Sequence, residues 1–578
     1  MISLLPSPRP SGSSSQSPIP ESTPDDDDDF EYTMAAETTV ATPINHTDEP
    51  SDHATFSFFP HHGETRGHRL RRRHSFRKGH QHNTRRHLSK LEGRIHEEHS
   101  TALLPTTSLY LTVLIALLGT FQDGWMLSQL NYKYFDSKCT ASPIPDGDCI
   151  MFPGHSTHEW TMNVTSWIVG GMLGALCSGF PADKFGRKRT LFLNAIVMVA
   201  GAAIQAASTS IYFFSIGRLI SGIASGVSIN VCSVLISEIS PANMRGMFST
   251  GLQVGISLGS LSVTTAHYAL NSDAYSWRLL VGVPIVLGSV QILLMPFMAY
   301  SPVWLVSQGK IDEALDDLKR LYRPCNYDAI LDALVAAHEE EQQEIAGVNP
   351  WVILFSPKYR KQLVIAIALC SAQQLTGIDA IMYYSSSIFA SAGLTDPRVG
   401  NTIINVIRTT FIILAARVMD KFNRKTLLCG GMTVMAAASA GVMASLATTS
   451  SVGCVASLAI YMAAFCLSIG PMAWMVSTEV FPDFLHANAG STGELFTWLC
   501  NFLVGVFYPT LADPSAMGNY AFATFVGICA AFVIFVAIVV PETAHKTSVE
   551  IQKLFGITEP KYDPPANVDP WAAVDKEE

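Results

Sequence analysis

The chain has 578 residues, of which 48% are hydrophobic and 15% are charged, and its formal net charge is −10. Soluble domains carry about 25% charged residues, so this composition excludes an ordinary soluble protein. Because the charged residues concentrate in the two ends and one central stretch, the sequence predicts a polytopic protein embedded in a lipid bilayer. No nucleic-acid partner is expected.

Residues 1–106 are predicted to form a disordered cytosolic tail. This stretch begins rich in Ser and Pro, continues with an acidic run at 25–29 and carries a basic block at 66–94. Such a composition cannot bury a hydrophobic core. Its start has no apolar run with a cleavage site, so no signal peptide is expected.

Twelve apolar segments follow, each close to the roughly 20 residues that a membrane-spanning helix requires. Their approximate bounds are 107–127, 162–181, 190–209, 212–237, 247–269, 278–300, 362–386, 398–419, 426–447, 452–476, 487–510 and 519–540. They predict an all-α membrane protein with one six-helix bundle over 107–300 and a second over 362–541. Amphipathic patterns between them predict a cytosolic helical linker over 301–361, and 542–578 form a cytosolic tail.

The short basic loops indicate how the chain crosses the membrane. Residues 184–189 and 421–425 fall on the same side as the basic N-terminal flank. The positive-inside rule therefore places both termini in the cytosol, and the plasma membrane is the expected location. Cys139 and Cys149 flank a short polar loop on the opposite side, where a disulfide is predicted and two free thiols are the alternative.

An internal repeat divides the chain in two. The sequence DKFGRK at 183–188 recurs as DKFNRK at 420–425, and Glu-x-x-Pro occurs at 238–241 and again at 479–482. The same sequence motifs at matching positions in each half indicate a duplicated six-helix bundle. Parallel repeats of this kind place a substrate between the halves near the membrane midplane, an arrangement that a membrane enzyme does not need.

The stretch QQLTGIDAIMYY at 373–384 places two amides, a carboxylate and two phenols inside the apolar segment 362–386. Polar groups in a membrane are costly and usually face a cavity or a partner. Amides and phenols at several depths suit a ligand rich in hydroxyl groups. Hydrogen bonding between helices is the alternative role.

This stretch resembles the signature Q-Q-L-[ST]-G-[IN]-N-x-x-x-Y-Y on the seventh helix of the sugar porter family, within the major facilitator superfamily. The two basic loops, the Glu-x-x-Pro elements and the Pro-Glu-Thr ending at 541–543 also resemble the family, over about 107–555. The resemblance implies facilitated diffusion of a hexose of the glucose or fructose class by alternating access, without cofactor or metal. Proton-coupled symport of a sugar or myo-inositol, and a transporter-like nutrient sensor, are the alternatives.

The resemblance also implies a sugar site with residues from both halves. The matching positions are Gln253, Ile256, Gln373, Gln374, Trp474, Trp498 and Asn501. Asp379 stands where the family has Asn, and Arg408, deep in the eighth segment, also replaces Asn. Opposite charges on consecutive antiparallel helices predict an ion pair at the cavity wall, which offsets the desolvation of each group. The alternative is that Arg408 faces a water-filled cavity.

A charge network at the cytosolic ends of the halves is a further implication. Its members are Asp183, Arg187 and Arg189, expected to pair with Glu479, and Asp420, Arg424 and Lys425, expected to pair with Glu238 and Arg245. Such pairs would break and reform as the cavity opens. Bases that only fix the orientation of the chain are the alternative.

Proton coupling has its own residue pair in the family, an Asp on the first segment and an Arg on the fourth. The matching positions are Met126 and Arg218, and Met126 cannot titrate, which favours facilitated diffusion. Asp123 lies one helical turn earlier on the same face. Under the symport alternative Asp123 reaches Arg218 and carries the coupling proton.

Overall fold

The computed structural model describes residues 104–241, 244–270, 275–345, 350–419, 421–482, 485–544, 546 and 548–556. The predictions for the N-terminal tail before residue 104 and for the C-terminal tail after residue 556 lie outside these described residues. So do those for Asp420 and for the side chain of Arg245.

Helices dominate the described residues. They are α1 Thr107–Ser128, α2 Thr157–Cys177, α3 Gly179–Phe185, α4 Arg187–Ala207, α5 Ile211–Ile239, α6 Arg245–Ala266, α7 Ser276–Leu294, α8 Pro302–Ser307, α9 Ile311–Leu321, α10 Tyr327–Ile345, α11 Pro350–Leu354, α12 Arg360–Leu375, α13 Ile378–Ser391, α14 Pro397–Met419, α15 Arg424–Ala447, α16 Ser451–Leu467, α17 Ile469–Glu479, α18 His486–Ala512, α19 Phe522–Val539 and α20 Ser548–Leu554.

The twelve-helix fold predicted from the sequence is confirmed. The first half contains α1, α2 with its continuation α3, and α4 to α7; the second contains α12 with α13, α14, α15, α16 with α17, α18 and α19. By length and hydropathy alone, nine described helices qualify as spans, and a tenth if α2 and α3 form one span bent by 44°. The remaining two predicted spans are α6 and α14, and polar residues on both line a central cavity.

Glycines set the closest helix packing in the first half, where α2 runs along α5. A Cβ atom added to Gly222 would lie 2.1 Å from the backbone oxygen of Trp167, and one added to Gly226 would lie 2.1 Å from that of Gly171. Only glycine permits this backbone approach. Between the halves, α6 packs against α14 and α2 packs against α18.

Two spans of the second half are interrupted. Between α12 and α13, Gly377 has φ +104°, and a Cβ there would lie 2.7 Å from the ring of Phe525. A residue other than glycine would meet both a strained backbone and this clash. The predicted segment 362–386 is therefore two helices, with Gln373 on α12 and Tyr384 on α13. A second break, at Ser468, separates α16 from α17.

The linker predicted over 301–361 contains α8 to α11, and most of it packs on the first half. The indole of Trp304 donates to the backbone oxygen of Asp183 at 2.8 Å. The hydroxyl of Tyr322 donates to the backbone oxygen of Ile239 at 2.8 Å. The hydroxyl of Thr106 donates to the backbone oxygen of Leu321 at 2.9 Å. In contrast, α11 packs against α18 of the second half.

The two ends of the bundle carry different loops. Cys139 and Cys149 are disulfide-bonded, which confirms the predicted pairing, and we call their side of the molecule the disulfide end. The loops around Gly186 and Asn423 lie at the opposite side, which we call the basic end.

Candidate functional site

A cavity of about 960 Å³ lies between the two halves. All nine residues that the sequence predicted at the sugar site line it: Gln253, Ile256, Gln373, Gln374, Asp379, Arg408, Trp474, Trp498 and Asn501. They come from α6 of the first half and from α12, α13, α14, α17 and α18 of the second. Residues far apart in the chain are thus brought to one site.

The cavity is closed at the disulfide end by hydrogen bonds between the halves. The side-chain amide of Asn131, just after α1, donates to the backbone oxygen of Met382 and to the hydroxyl of Ser385, both at 2.8 Å. The backbone oxygen of Asn131 accepts from the hydroxyl of Ser386 at 3.1 Å and from the amide of Asn401 at 3.3 Å. Toward the basic end the cavity extends to residues at the ends of α6 and α14, such as Met247 and Met419.

The amides that line the cavity differ in whether their hydrogen-bonding groups are already bonded within the protein. Gln373 donates to the backbone oxygen of Gly470, and Asn501 accepts from the hydroxyl of Tyr383 at 2.8 Å. Among the described residues, the side chain of Gln253 has no hydrogen-bond partner, and Oε1 of Gln374 is buried without one. These two amides therefore keep donors and acceptors for a bound molecule.

Three indoles give the cavity flat apolar faces. The rings of Trp167 and Trp498 meet edge to face, with centroids 5.7 Å apart. Trp498 also lies against Gly171, where an added Cβ would fall 2.3 Å from the indole. Trp474 completes the set from α17. Such faces suit the C–H surfaces of a ring-shaped ligand, with the amides addressing its polar edge.

The two phenols of the stretch 373–384 hold helices together. The hydroxyl of Tyr383 donates to Asn501, and that of Tyr384 donates to the backbone oxygen of Gly505 at 3.0 Å. Both acceptors are on α18, and neither tyrosine lines the cavity. For these residues the structure supports the alternative role, hydrogen bonding between helices.

The predicted ion pair between Asp379 and Arg408 is not formed. Arg408 instead donates to the hydroxyl of Ser260 on α6 at 3.3 Å, which joins the two halves. Its charge still lies within electrostatic reach of Asp379 and of Asp123. The ion pair is absent because the guanidinium is directed to Ser260 on α6, and Arg408 acts on both carboxyl groups over a distance.

Asp123 and Arg218 do not meet either. Arg218 is buried behind the cavity, where it donates to the backbone oxygen of Met126 at 3.1 Å and lies over the ring of Trp167. Asp123 faces the cavity and receives a hydrogen bond from Ser225. The contact that the symport alternative requires is therefore absent in this conformation, because Asp123 accepts from Ser225 while Arg218 donates to the backbone of Met126.

The charge network at the basic end pairs within each half. Arg187 contacts Glu238 at 2.8 Å and Asp183 at 3.2 Å, and Arg424 contacts Glu479 at 3.7 Å. Arg189 is exposed without an ion pair among the described residues. Lys425 contributes its backbone N–H to the carboxylate of Glu542. The predicted pairing across the halves is absent among the described residues, because the cavity extends between the halves at this end.

Glu494 is a cavity residue that the sequence reasoning missed. It lies on α18, one helical turn before Trp498, and accepts a hydrogen bond from the Trp498 indole. The signal was present, because Glu494 is a carboxylate inside the apolar segment 487–510. The same rule that identified Asp379 and Arg408 applies to it.

These features define a transporter of the major facilitator class, with two six-helix halves around a central polar cavity. The family model described as "Sugar (and other) transporter" matches residues 110–555, and the chain belongs to this family. It is 34% identical to the glucose transporter GlcP of Staphylococcus epidermidis over 69% of this chain and 89% of the relative. It is 32% identical to the plastidic glucose transporter 4 of Arabidopsis thaliana over 67% of this chain and 71% of the relative.

The fold is also shared with a solved structure. The inward-open conformation of the xylose transporter XylE from E. coli superposes with a TM-score of 0.64. The match covers 77% of this chain and 99% of XylE, at 22% sequence identity. This likeness concerns the fold alone.

Proposed function

We propose that the chain transports a hexose of the glucose or fructose class by alternating access and facilitated diffusion. The observation that carries the proposal is a cavity lined by amides and indoles from both halves, closed at the disulfide end and extending to the basic end. The glucose transporters among the relatives support the same substrate class. The basic end then faces the cytosol, both termini are cytosolic, and the plasma membrane is the proposed location.

The proposal assigns roles to the cavity residues. Gln253 binds sugar hydroxyl groups with an amide that has no partner among the described residues, and Gln374 binds them with its unpartnered Oε1. Trp474 and Trp498 contact the apolar faces of the sugar ring. The conformation described here is inward-facing, and the ion pairs of Arg187 and Arg424 within each half belong to this state.

Facilitated diffusion is favoured over symport by the surroundings of Arg218. Its hydrogen-bond partners are the uncharged backbone oxygens of Met126 and Asn163, so it has no titratable partner on α1. Myo-inositol remains an alternative substrate, since its array of hydroxyl groups resembles that of a hexose.

Uptake of radiolabelled glucose and fructose into vesicles tests the proposal. We expect uptake down a sugar gradient that is unchanged by a protonophore. Uptake that collapses with the protonophore, with sugar-induced alkalinisation of the medium that disappears in Asp123→Asn, would establish symport instead. A nutrient sensor would give no uptake.

The variant Gln253→Leu should lower sugar affinity roughly 5- to 150-fold, because one buried hydrogen bond to ligand is worth about 1–3 kcal/mol. Surface expression should persist, since no described residue depends on this amide. KM for uptake measures the effect. As a contrast, Gln205→Leu should lose folded protein, because Gln205 donates to Ser221 at 2.8 Å and to Gly217 in the scaffold. Normal KM in Gln253→Leu would place the sugar elsewhere.

A further inference from the structure

The buried wall of the cavity carries more carboxyl groups than cationic groups. Asp123, Asp379 and Glu494 are only 3%, 5% and 5% exposed, and all three line the cavity. The buried cation on the same wall is Arg408, at 7% exposure. Arg417 also lines the cavity but is exposed, and it lies nine residues further along α14, about 14 Å nearer the basic end.

Two of these carboxylates keep an oxygen for which the described residues supply no partner. Oδ1 of Asp123 and Oδ2 of Asp379 are buried without a hydrogen bond, as is Nε of Arg408. Buried polar atoms are nearly always satisfied, and each exception calls for an explanation. An ionised carboxylate only accepts hydrogen bonds, so both oxygens call for a donor.

Arg408 is a single cation beside these three carboxyl groups. It is within electrostatic reach of Asp379 and Asp123, while Glu494 adds its own repulsion to Asp123. The other titratable groups within electrostatic reach of this cluster are Tyr383, Tyr461, Cys370, Cys466, Cys500 and, behind Tyr383, Arg218. A ligand that brings one positive charge into the cavity would meet acceptors on both halves.

We propose that the cavity selects a hydroxylated substrate carrying one protonated amine, the class to which the 2-amino hexoses belong. This inference rests on the proposed sugar transport and names a narrower substrate class for the same site. An ammonium group supplies three donors for the oxygens of Asp123 and Asp379. The neighbouring indoles of Trp167 and Trp498 can add cation–π attraction. The amides and Trp474 then bind the rest of the ring as they would in a neutral hexose.

The wild-type protein in proteoliposomes tests this inference with three sugars. At about pH 7, where most of an amine with an ordinary pKa near 8 is protonated, initial uptake rates are measured for glucosamine, glucose and N-acetylglucosamine. We expect a KM for glucosamine at least about tenfold below that of glucose, as charge-assisted hydrogen bonds imply. The acetylated sugar should show no such advantage, because its amide carries no charge.

The outcomes separate this inference from the function on which it rests. Uptake of glucose with no advantage for glucosamine overturns the amine preference and leaves sugar transport standing. Glucose uptake that carries protons inward, with equal KM for glucose and glucosamine, also overturns it, because a proton then neutralises the carboxylates. Absence of uptake for all three sugars overturns both.

A matched pair of variants tests the carboxylates themselves. Glu494→Gln should bring the KM ratio between glucosamine and glucose toward one. Glu159→Gln neutralises an exposed carboxylate of the capping box at Ser156, outside the cavity, and should leave the ratio unchanged. Asp123→Asn serves as the second cavity variant if Glu494→Gln does not reach the membrane. A wild-type ratio in the cavity variant that folds would overturn the inference.

Discussion

Gly222→Val should abolish the folded protein. Any Cβ at this position would lie 2.1 Å from the backbone oxygen of Trp167, and a backbone atom of a packed helix cannot move aside cheaply. Overpacking usually costs about 1–3 kcal/mol, and a clash with backbone should exceed about 4 kcal/mol. The thermal unfolding midpoint in detergent and the fraction of chain reaching the membrane measure the loss.

Gly430→Val is the matched control. Gly430 is also inside a long apolar helix, α15, but nothing lies within 4 Å of a Cβ added there. The control carries the same change in helix propensity without the clash, so it should retain nearly all of the stability. Equal stability of the two variants would show that α2 and α5 can separate without cost.

Arg408→Asn should be nearly as damaging, by a different mechanism. Removing the buried guanidinium leaves Asp123, Asp379 and Glu494 without a cation on the buried cavity wall. Leaving a buried charge uncompensated costs about 3–5 kcal/mol. Asp379→Asn alone should cost less, because Arg408 still has Asp123 within reach. Thermal unfolding of the purified variants measures both.

The double variant Asp379→Asn with Arg408→Asn tests whether the two charges are coupled. It should be more stable than Arg408→Asn, because one of the stranded carboxylates is removed with its cation. Arg417→Asn is the control on the same helix and should change little, since Arg417 is exposed at the cavity mouth. If the double variant is no more stable than Arg408→Asn, the two charges act independently.

The spans and the cavity residues could be predicted because membrane insertion imposes strong and simple constraints. Apolar segments of fixed length located every span, including α6 and α14, and polar residues inside them marked most of the cavity wall. Glu494 follows the same logic and was overlooked only because it lies outside the motifs of the family. The Gly377 break was not predicted, since glycine in a spanning helix has several roles and Phe525 is distant in sequence.

The partners of individual charges were not predictable from the sequence. Arg408 lies on the helix next to that of Asp379, yet its closest polar partner is Ser260 on the other half. Arg187 and Arg424 pair within their own halves because the partners depend on how far the cavity has opened. A sequence specifies which charges are present, whereas the conformation decides which of them meet.

The attachment of the linker has a practical consequence for measuring motion. Because α9 is fastened to the first half near Thr106 and Arg320, a reporter group on it moves with that half. Asp316 is an exposed position on α9, and Lys361 is an exposed position at the start of α12 in the second half. A pair of spectroscopic labels at these two residues, both outside the cavity, reports the distance between the two halves at the basic end. Changes in this distance would record each opening and closing without altering the site where the ligand binds.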